Sequence, residues 1–249
     1  MYCGGKKLNK KEQLKSKAIA HNKYMEDNYK DDITECANNT VLYTNLHNNW
    51  ENICTHTLTI HTDSVSAIFL PMCKNKKVCV LNFASYKNAG GGFLNGSNAQ
   101  EESLCHESFL YNVLKKHKDY YAYNKQRLNK GMYLNRALYS PNVVFLHDGQ
   151  EREVDVLTCA SPNYSVALKY NNFTKEENQK ALESRIKFIK NILAENKVDV
   201  VILGAFGCGV FKQDPYNVAN LWKKDGFPVK EVIYAIIDEP TYNIFTEVI

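Results

Sequence analysis

The sequence predicts an α/β protein whose sheet is covered on both faces, and three observations carry that prediction. From about residue 56 onward, short apolar runs alternate with helical patterns. The runs are β-branched and mostly apolar at successive positions, as strands buried on both faces must be. The stretches between them bring apolar residues back at helical spacing, the mark of a helix face packed on a sheet.

Residues 1 to about 50 are polar, punctuated by Leu14, Ala18, Ile19, Tyr24 and Met25, which suggests helices packed on the main body. The expected division is a basic helical amino-terminal extension over residues 1–55, packed on the core, and a main domain over residues 56–249. Strands are expected at 78–83, 143–146, 154–159, 198–203 and 232–237. One helix is expected to start near Glu101 and run through Leu104, Phe109, Val113 and Leu114. Another opens at a capping box, Thr174-Lys175-Glu176-Glu177, with its stripe at Leu182, Ile186, Ile189 and Leu193. A third begins at Asp214-Pro215, where Asp suits the N-cap and Pro the first turn. No linker or repeat divides the chain. Periodicity alone fits a mixed sheet and a doubly wound parallel sheet equally well.

A chain of 249 residues fits one large domain, and 44% apolar with 23% charged residues is a globular balance. No apolar run approaches the ~20 residues of a membrane span. The opening, Met1 to Lys7, leads into charge, so neither a membrane partner nor a secretory signal is expected. The net charge is +4, and the first thirty residues hold eight Lys against Glu12, Glu26 and Asp27. That surplus reads as a solvated helix face; with no RNA-binding motif, no specific nucleic acid is expected. Eight cysteines occur without a C-x-x-C pair. They point to an intracellular, reducing compartment, cytoplasm and/or nucleus. Cys54, His56 and His61 alternate with Thr and Leu as in a strand or loop, and no metal or cofactor is expected.

The most informative stretch is Gly90-Gly91-Gly92, followed after seven residues by Gln100-Glu101-Glu102. Three glycines without Cβ atoms let backbone N–H groups approach a bulky anion such as a diphosphate. The spacer then places carboxylates on a sugar beside it. A second loop, Gly204-x-x-Gly207-x-Gly209, follows another strand candidate, so the two can flank one site at the carboxyl ends of strands. Neither loop matches the dinucleotide or NTP-binding patterns. Two adjacent glutamates are expected to diverge, so they should not act as an opposed pair across one bond.

The run from Val80 to Glu102 closely resembles the signature of the microbial-type poly(ADP-ribose) glycohydrolases, which are macrodomain enzymes. The resemblance continues through Tyr139-Ser140-Pro141-Asn142-Val143, Ala160-Ser161-Pro162-Asn163 and Leu203 to Phe211. It implies a macrodomain-like three-layer α/β/α fold with a mixed central sheet. It also implies hydrolysis of ribose–ribose bonds in poly(ADP-ribose) and poly-ADP-ribosylated proteins, with ADP-ribose as product. Glu102 stands where the family has its catalytic acid, and Glu101 is given the ribose hydroxyls. Substrate contacts are assigned to Gln100, to Gly90, Gly91 and Gly92, and to Gly207, Cys208, Gly209, Val210 and Phe211. Ser85 occupies the place of the second Asn in the macrodomain Asn-Ala-Ala-Asn element, with Asn88 as a substitute contact. Phe211 is preferred over Phe206 as the adenine face, and Asn163 either touches the ligand or shapes its loop. The alternative is a macrodomain that binds terminal ADP-ribose without turnover.

Overall fold

The structure, a computed structural model, describes residues 2–3, 6–7, 9–170 and 173–249. A short hairpin, β1 (Tyr2–Cys3) and β2 (Lys6–Lys7), precedes α1 (Lys10–Asn28) and α2 (Lys30–Asn39). Then come β3 (Val41–Thr44), β4 (His56–Ile60), α3 (Ser64–Ile68) and β5 (Val78–Phe83), followed by α4 (Gln100–His106), α5 (Leu110–Leu114) and α6 (Lys118–Gln126). The long strands β6 (Arg136–His147) and β7 (Gln150–Cys159) lead into α7 (Tyr164–Tyr170) and α8 (Lys175–Glu195). The chain ends through β8 (Val200–Leu203), α9 (Pro215–Lys223), β9 (Glu231–Ala235) and α10 (Glu239–Val248).

Seven strands form one sheet in the order β3-β6-β7-β5-β8-β9-β4. Strands β7, β5, β8, β9 and β4 run parallel, whereas β3 and β6 pair antiparallel at one edge. The sheet is therefore mixed, which settles what periodicity left open. Alternate residues of each central strand enter opposite cores. Val78 and Val80 pack with Leu104, Phe109 and the α1–α2 pair, while Cys79 and Leu81 pack with Leu182, Ile189, Trp222 and Phe245. Burying these faces is the dominant stabilising term, roughly 1.5–3 kcal/mol for each large apolar side chain.

Thr174 caps α8, accepting the Glu177 N–H, and Asp214 caps α9, accepting the Asn217 N–H. The expected single helix over 101–114 is two, α4 and α5. Ser108 breaks it: its hydroxyl donates to Leu104 O and accepts from Leu110 N–H, offering the backbone a non-helical solution. The run around His56 is strand β4, paired in register with β9.

The expected boundary at residue 55 does not coincide with a break in the sheet. Val41–Thr44 is itself an edge strand of the sheet, and Ala18, Met25, Ile33 and Cys36 belong to the same core as Val78 and Val80. The α1 helix also buttresses the glycine-rich loop. A Cβ on Gly96, where φ is +75°, would lie 2.2 Å from Lys11 O, so the loop turns directly against the start of that helix.

Candidate active site

The first glycine-rich loop leaves the carboxyl end of β5 and the second leaves that of β8, and these strands are neighbours. A cavity of about 420 Å³ lies between the loops, bordered by Glu101, Glu102, Gly91, Gly207, Gly209 and Phe211, among others.

The glycine triplet turns its amides inward. Gly92 N–H donates to Glu102 Oε1 at 2.7 Å, Gly90 N–H is directed at the Glu101 carboxyl, and Gly91 N–H reaches Asn88 O at 3.1 Å. The donors expected to meet a diphosphate are thus engaged within the protein, two of them on the carboxyl groups. Gly90 and Gly92 do not line the cavity; Gly91 does.

At Gly91 the two carboxyls meet. Its φ is +59°, and a Cβ there would lie 2.6 Å from Glu102 Oε1 and 2.9 Å from Glu101 Oε2. The expected divergence of adjacent glutamates is therefore corrected. Both occupy the first turn of α4, where side chains lean back toward the helix N-terminus, and the surrounding N–H groups gather them.

Glu101 is buried to 3% exposure. Its Oε2 accepts Ser85 N–H at 2.7 Å and its Oε1 accepts Asn82 Nδ2 at 3.3 Å. Burial pushes its carboxyl up to about 8, against the lowering donors Ser85, Asn82 and Gly90 and with a smaller upward push from Glu102. The folded chain therefore keeps a proton here that the unfolded chain releases above its ordinary value of 4.5. Stability from this group is greatest below that value and is lost as pH rises through about 8. Glu101→Gln should flatten the decline: its melting temperature should gain on the parent protein steadily between pH 5 and 8. A constant gap across that range would remove the buried carboxyl as the cause.

Glu102 is 6% exposed and accepts two backbone donors, Gly92 N–H on Oε1 and Ala99 N–H on Oε2 at 3.0 Å. The second closes the helix N-terminus in capping-box fashion. Glu101 thus receives three donors and Glu102 two, which leaves Glu102 the greater spare capacity.

Gln100 borders the cavity, but its amide is occupied. Its Oε1 accepts Phe83 N–H at 2.8 Å, and its Nε2 donates to Leu81 O at 2.8 Å and Ser64 Oγ at 3.2 Å. It locks α4 to the end of β5, a positioning task in place of the expected substrate contact. Ser85 lines the cavity and its hydroxyl accepts Asn88 N–H, whereas Asn88 is exposed and off the lining.

The second loop is the one with donors to give. Among the described residues, the N–H groups of Gly207, Gly209, Val210 and Phe211 have no hydrogen-bond partner. Cys208 N–H closes a turn onto Ala205 O at 3.1 Å, and its side chain borders a neighbouring cavity of about 460 Å³ in place of the one with the carboxyls. The two cavities share Phe83, Ala99, Gln100, Ala205 and Gly209. Phe206 is fully buried against Phe83 and Trp222, so it is core. Phe211 faces the carboxyl-bearing cavity, and Val210 stands at its rim, 78% exposed.

The aromatic wall beside Phe211 is not visible in the motifs. Tyr86 and Tyr133 stack at 4.1 Å and 11°, and Phe211 meets Tyr133 edge-on. Tyr133 has φ +61°, a strained conformation for a bulky residue, and no sequence pattern announces it. Asn163 also lines the cavity and holds Ser165 and Val166 at the start of α7. Among the described residues no group of three His, Cys, Asp or Glu side chains is placed to hold a metal, and Cys36, Cys54, Cys73, Cys79, Cys105, Cys159 and Cys208 are free. No helix of the described residues is long and apolar enough to cross a membrane.

The family described as "Microbial-type PARG, catalytic domain" matches residues 10–148, more than half of the chain. The chain belongs to that family. It is a glycosidase that hydrolyses poly(ADP-ribose). Its fold is similar to that of the poly(ADP-ribose) glycohydrolase from Thermomonospora curvata, with TM-score 0.86 and 25% identity over 96% of this chain and 100% of that one. The same bacterial protein bound to the inhibitor ADP-HPD gives 0.85, at 25% identity over 95% and 99%. The poly(ADP-ribose) glycohydrolase from Deinococcus radiodurans in complex with ADP-ribose gives 0.77, at 27% identity over 86% and 96%. No curated protein matches the chain.

Proposed function

We propose that this glycohydrolase cleaves the ribose–ribose bond with Glu102 as the proton-transferring group and releases ADP-ribose from polymer carried on modified proteins. One observation carries the reading: two buried carboxyls meet at Gly91, opposite a loop with four unpaired amides. The carboxyls mark the position of the reacting ribose, and the amides form a cradle for the diphosphate. Gly209 borders both cavities, so a diphosphate held there leaves the adenosine to extend into the second one. That cavity offers the exposed side chain of Ile237, an apolar surface for a base, and the Asp63 carboxylate, which caps α3 through Val65 N–H and Ser66 N–H and keeps lone-pair capacity on Oδ2 beside the Ser66 hydroxyl. Phe211 is accordingly assigned to the reacting ribose and not to adenine.

Cleavage passes through an oxocarbenium-like state, in which the departing ribose oxygen needs a proton. Glu102, with spare capacity on its oxygens, supplies that proton and then takes one from the water that attacks the anomeric carbon. Glu101, which already accepts three donors and is kept protonated near neutral pH by burial, donates its O–H to a ribose hydroxyl. No step needs a metal. Incubation with polymer of defined length in excess EDTA should release ADP-ribose. Polymer that stays intact while bound would instead identify a reader module.

A further inference from the structure

The bond cleaved at Glu102 joins the bound ribose to the rest of the polymer, so a polyanion must leave the cavity beside the carboxyls. The surface there is unusual in its charge. Although the chain has 27 acidic residues, none occurs in segments 84–100, 120–147 or 156–170, each of which contributes residues to the cavity lining. The same segments present Lys87, Lys125, Arg127 and Lys130, all exposed. Among the described residues none of these four pairs with a carboxylate, whereas Lys17, Lys23, Lys76, Lys77, Lys115, Lys224 and Lys230 all do.

The four cations are carried by segments that hydrogen bonds tie to the cavity wall. Lys87 is the basic residue on the cavity lining, two positions after Ser85, whose N–H holds Glu101. Tyr86 next to it donates its hydroxyl to Arg127 O at 3.2 Å and accepts Asn124 Nδ2 on its carbonyl at 3.0 Å, which ties the end of α6 to this turn. On the other flank, Gly131 O accepts the N–H of Asn163, a lining residue, at 2.8 Å, so Lys130 stands just outside the wall. The Arg127 guanidinium stands over the Tyr123 ring at 3.9 Å, and the residue is exposed.

We propose that Lys87, Lys125, Arg127 and Lys130 form a subsite for the diphosphates of the polymer segment beyond the cleaved bond. The proposal rests on the glycohydrolase reading. It explains why the surface is cleared of acids: a carboxylate there would repel two phosphates per polymer unit.

The test uses the full chain with Lys87, Lys125 and Lys130 all changed to Gln, which removes charge and keeps the Arg127–Tyr123 stack. On long polymer at low salt, kcat/KM should fall on the order of tenfold, mostly through KM, and the salt slope of log(kcat/KM) should shallow by about 2. Affinity for free ADP-ribose, measured by calorimetry on the chain with only Lys125 and Lys130 changed to Gln, should stay within about twofold, because these two exposed cations lie off the cavity lining. An unchanged KM for polymer would overturn the proposal. So would an equal loss of ADP-ribose affinity in that double variant, which would place the strip inside the product site. Single-stranded RNA of equal phosphate number binding as tightly as polymer would reassign the strip to nucleic acid. If the parent chain cleaves no polymer, the hydrolase reading fails by itself. The strip is then judged on fluorescence anisotropy of labelled polymer, with loss of binding in the triple variant as the supporting result and no loss as the overturning one.

Discussion

Replacing Glu102 with Gln is expected to slow release of ADP-ribose by ~10²–10⁴-fold, the usual loss when a general acid–base group is removed. The amide keeps the shape of the side chain but offers no transferable proton. Its oxygen still accepts one of the two backbone donors, Gly92 N–H and Ala99 N–H, so α4 should stay in place. ADP-ribose affinity should remain within about tenfold, because the diphosphate cradle belongs to the other loop. The loss should appear in kcat more than in KM, as expected for an interaction made in the transition state. Near-normal turnover by this variant would take Glu102 out of the mechanism. The companion change Glu101→Gln distinguishes the pair: with Glu101 as the ribose contact, it should raise KM as well as lower kcat.

Gly209→Val should abolish binding while leaving the fold alone. A Cβ on Gly209 meets nothing within 4 Å, and its φ is outside the left-handed range, so the substitution costs the native chain little. The same position borders both cavities and carries an unpaired N–H, so a branched side chain occupies the path from adenosine to ribose. Affinity for ADP-ribose should fall at least about tenfold, ~1.4 kcal/mol or more, with a melting temperature near that of the parent. Retained affinity would show that the diphosphate does not cross this loop. The neighbouring Gly207 behaves differently. Its φ is +80°, and a Cβ would lie 2.2 Å from Ser161 Oγ, so substitution there damages folding first. Comparing the two glycines separates a ligand role from a backbone role.

Much of this molecule is legible in its residues taken in order. Val78 to Phe83 and Val154 to Cys159 declare strands because a doubly buried strand admits little besides β-branched and apolar side chains. Thr174 with Glu177 and Asp214 with Pro215 declare helix starts because capping is chemistry within one turn. The Gly-Gly-Gly and Gln-Glu-Glu elements pointed to the candidate cavity, which Gly91, Gln100, Glu101 and Glu102 border. The weak strand β3 escaped: Val41, Leu42 and Thr44 are exposed at the sheet edge, so no alternation survives to mark them.

What each motif residue does was decided by tertiary structure. The sequence reads the glycine triplet as a diphosphate loop, yet the amides of Gly90 and Gly92 meet the carboxyls, because α4 delivers two acceptors to them. Gln100 reads as a substrate contact, yet the backbone of β5 uses its amide. Tyr133 is silent in sequence and prominent in the cavity wall, where it combines a left-handed backbone with ring contacts to Tyr86 and Phe211. The physical reason is that residue type and spacing state which donors, acceptors and rings a segment carries, but each pairs with whichever partner the fold brings within reach, and that partner belongs to another element.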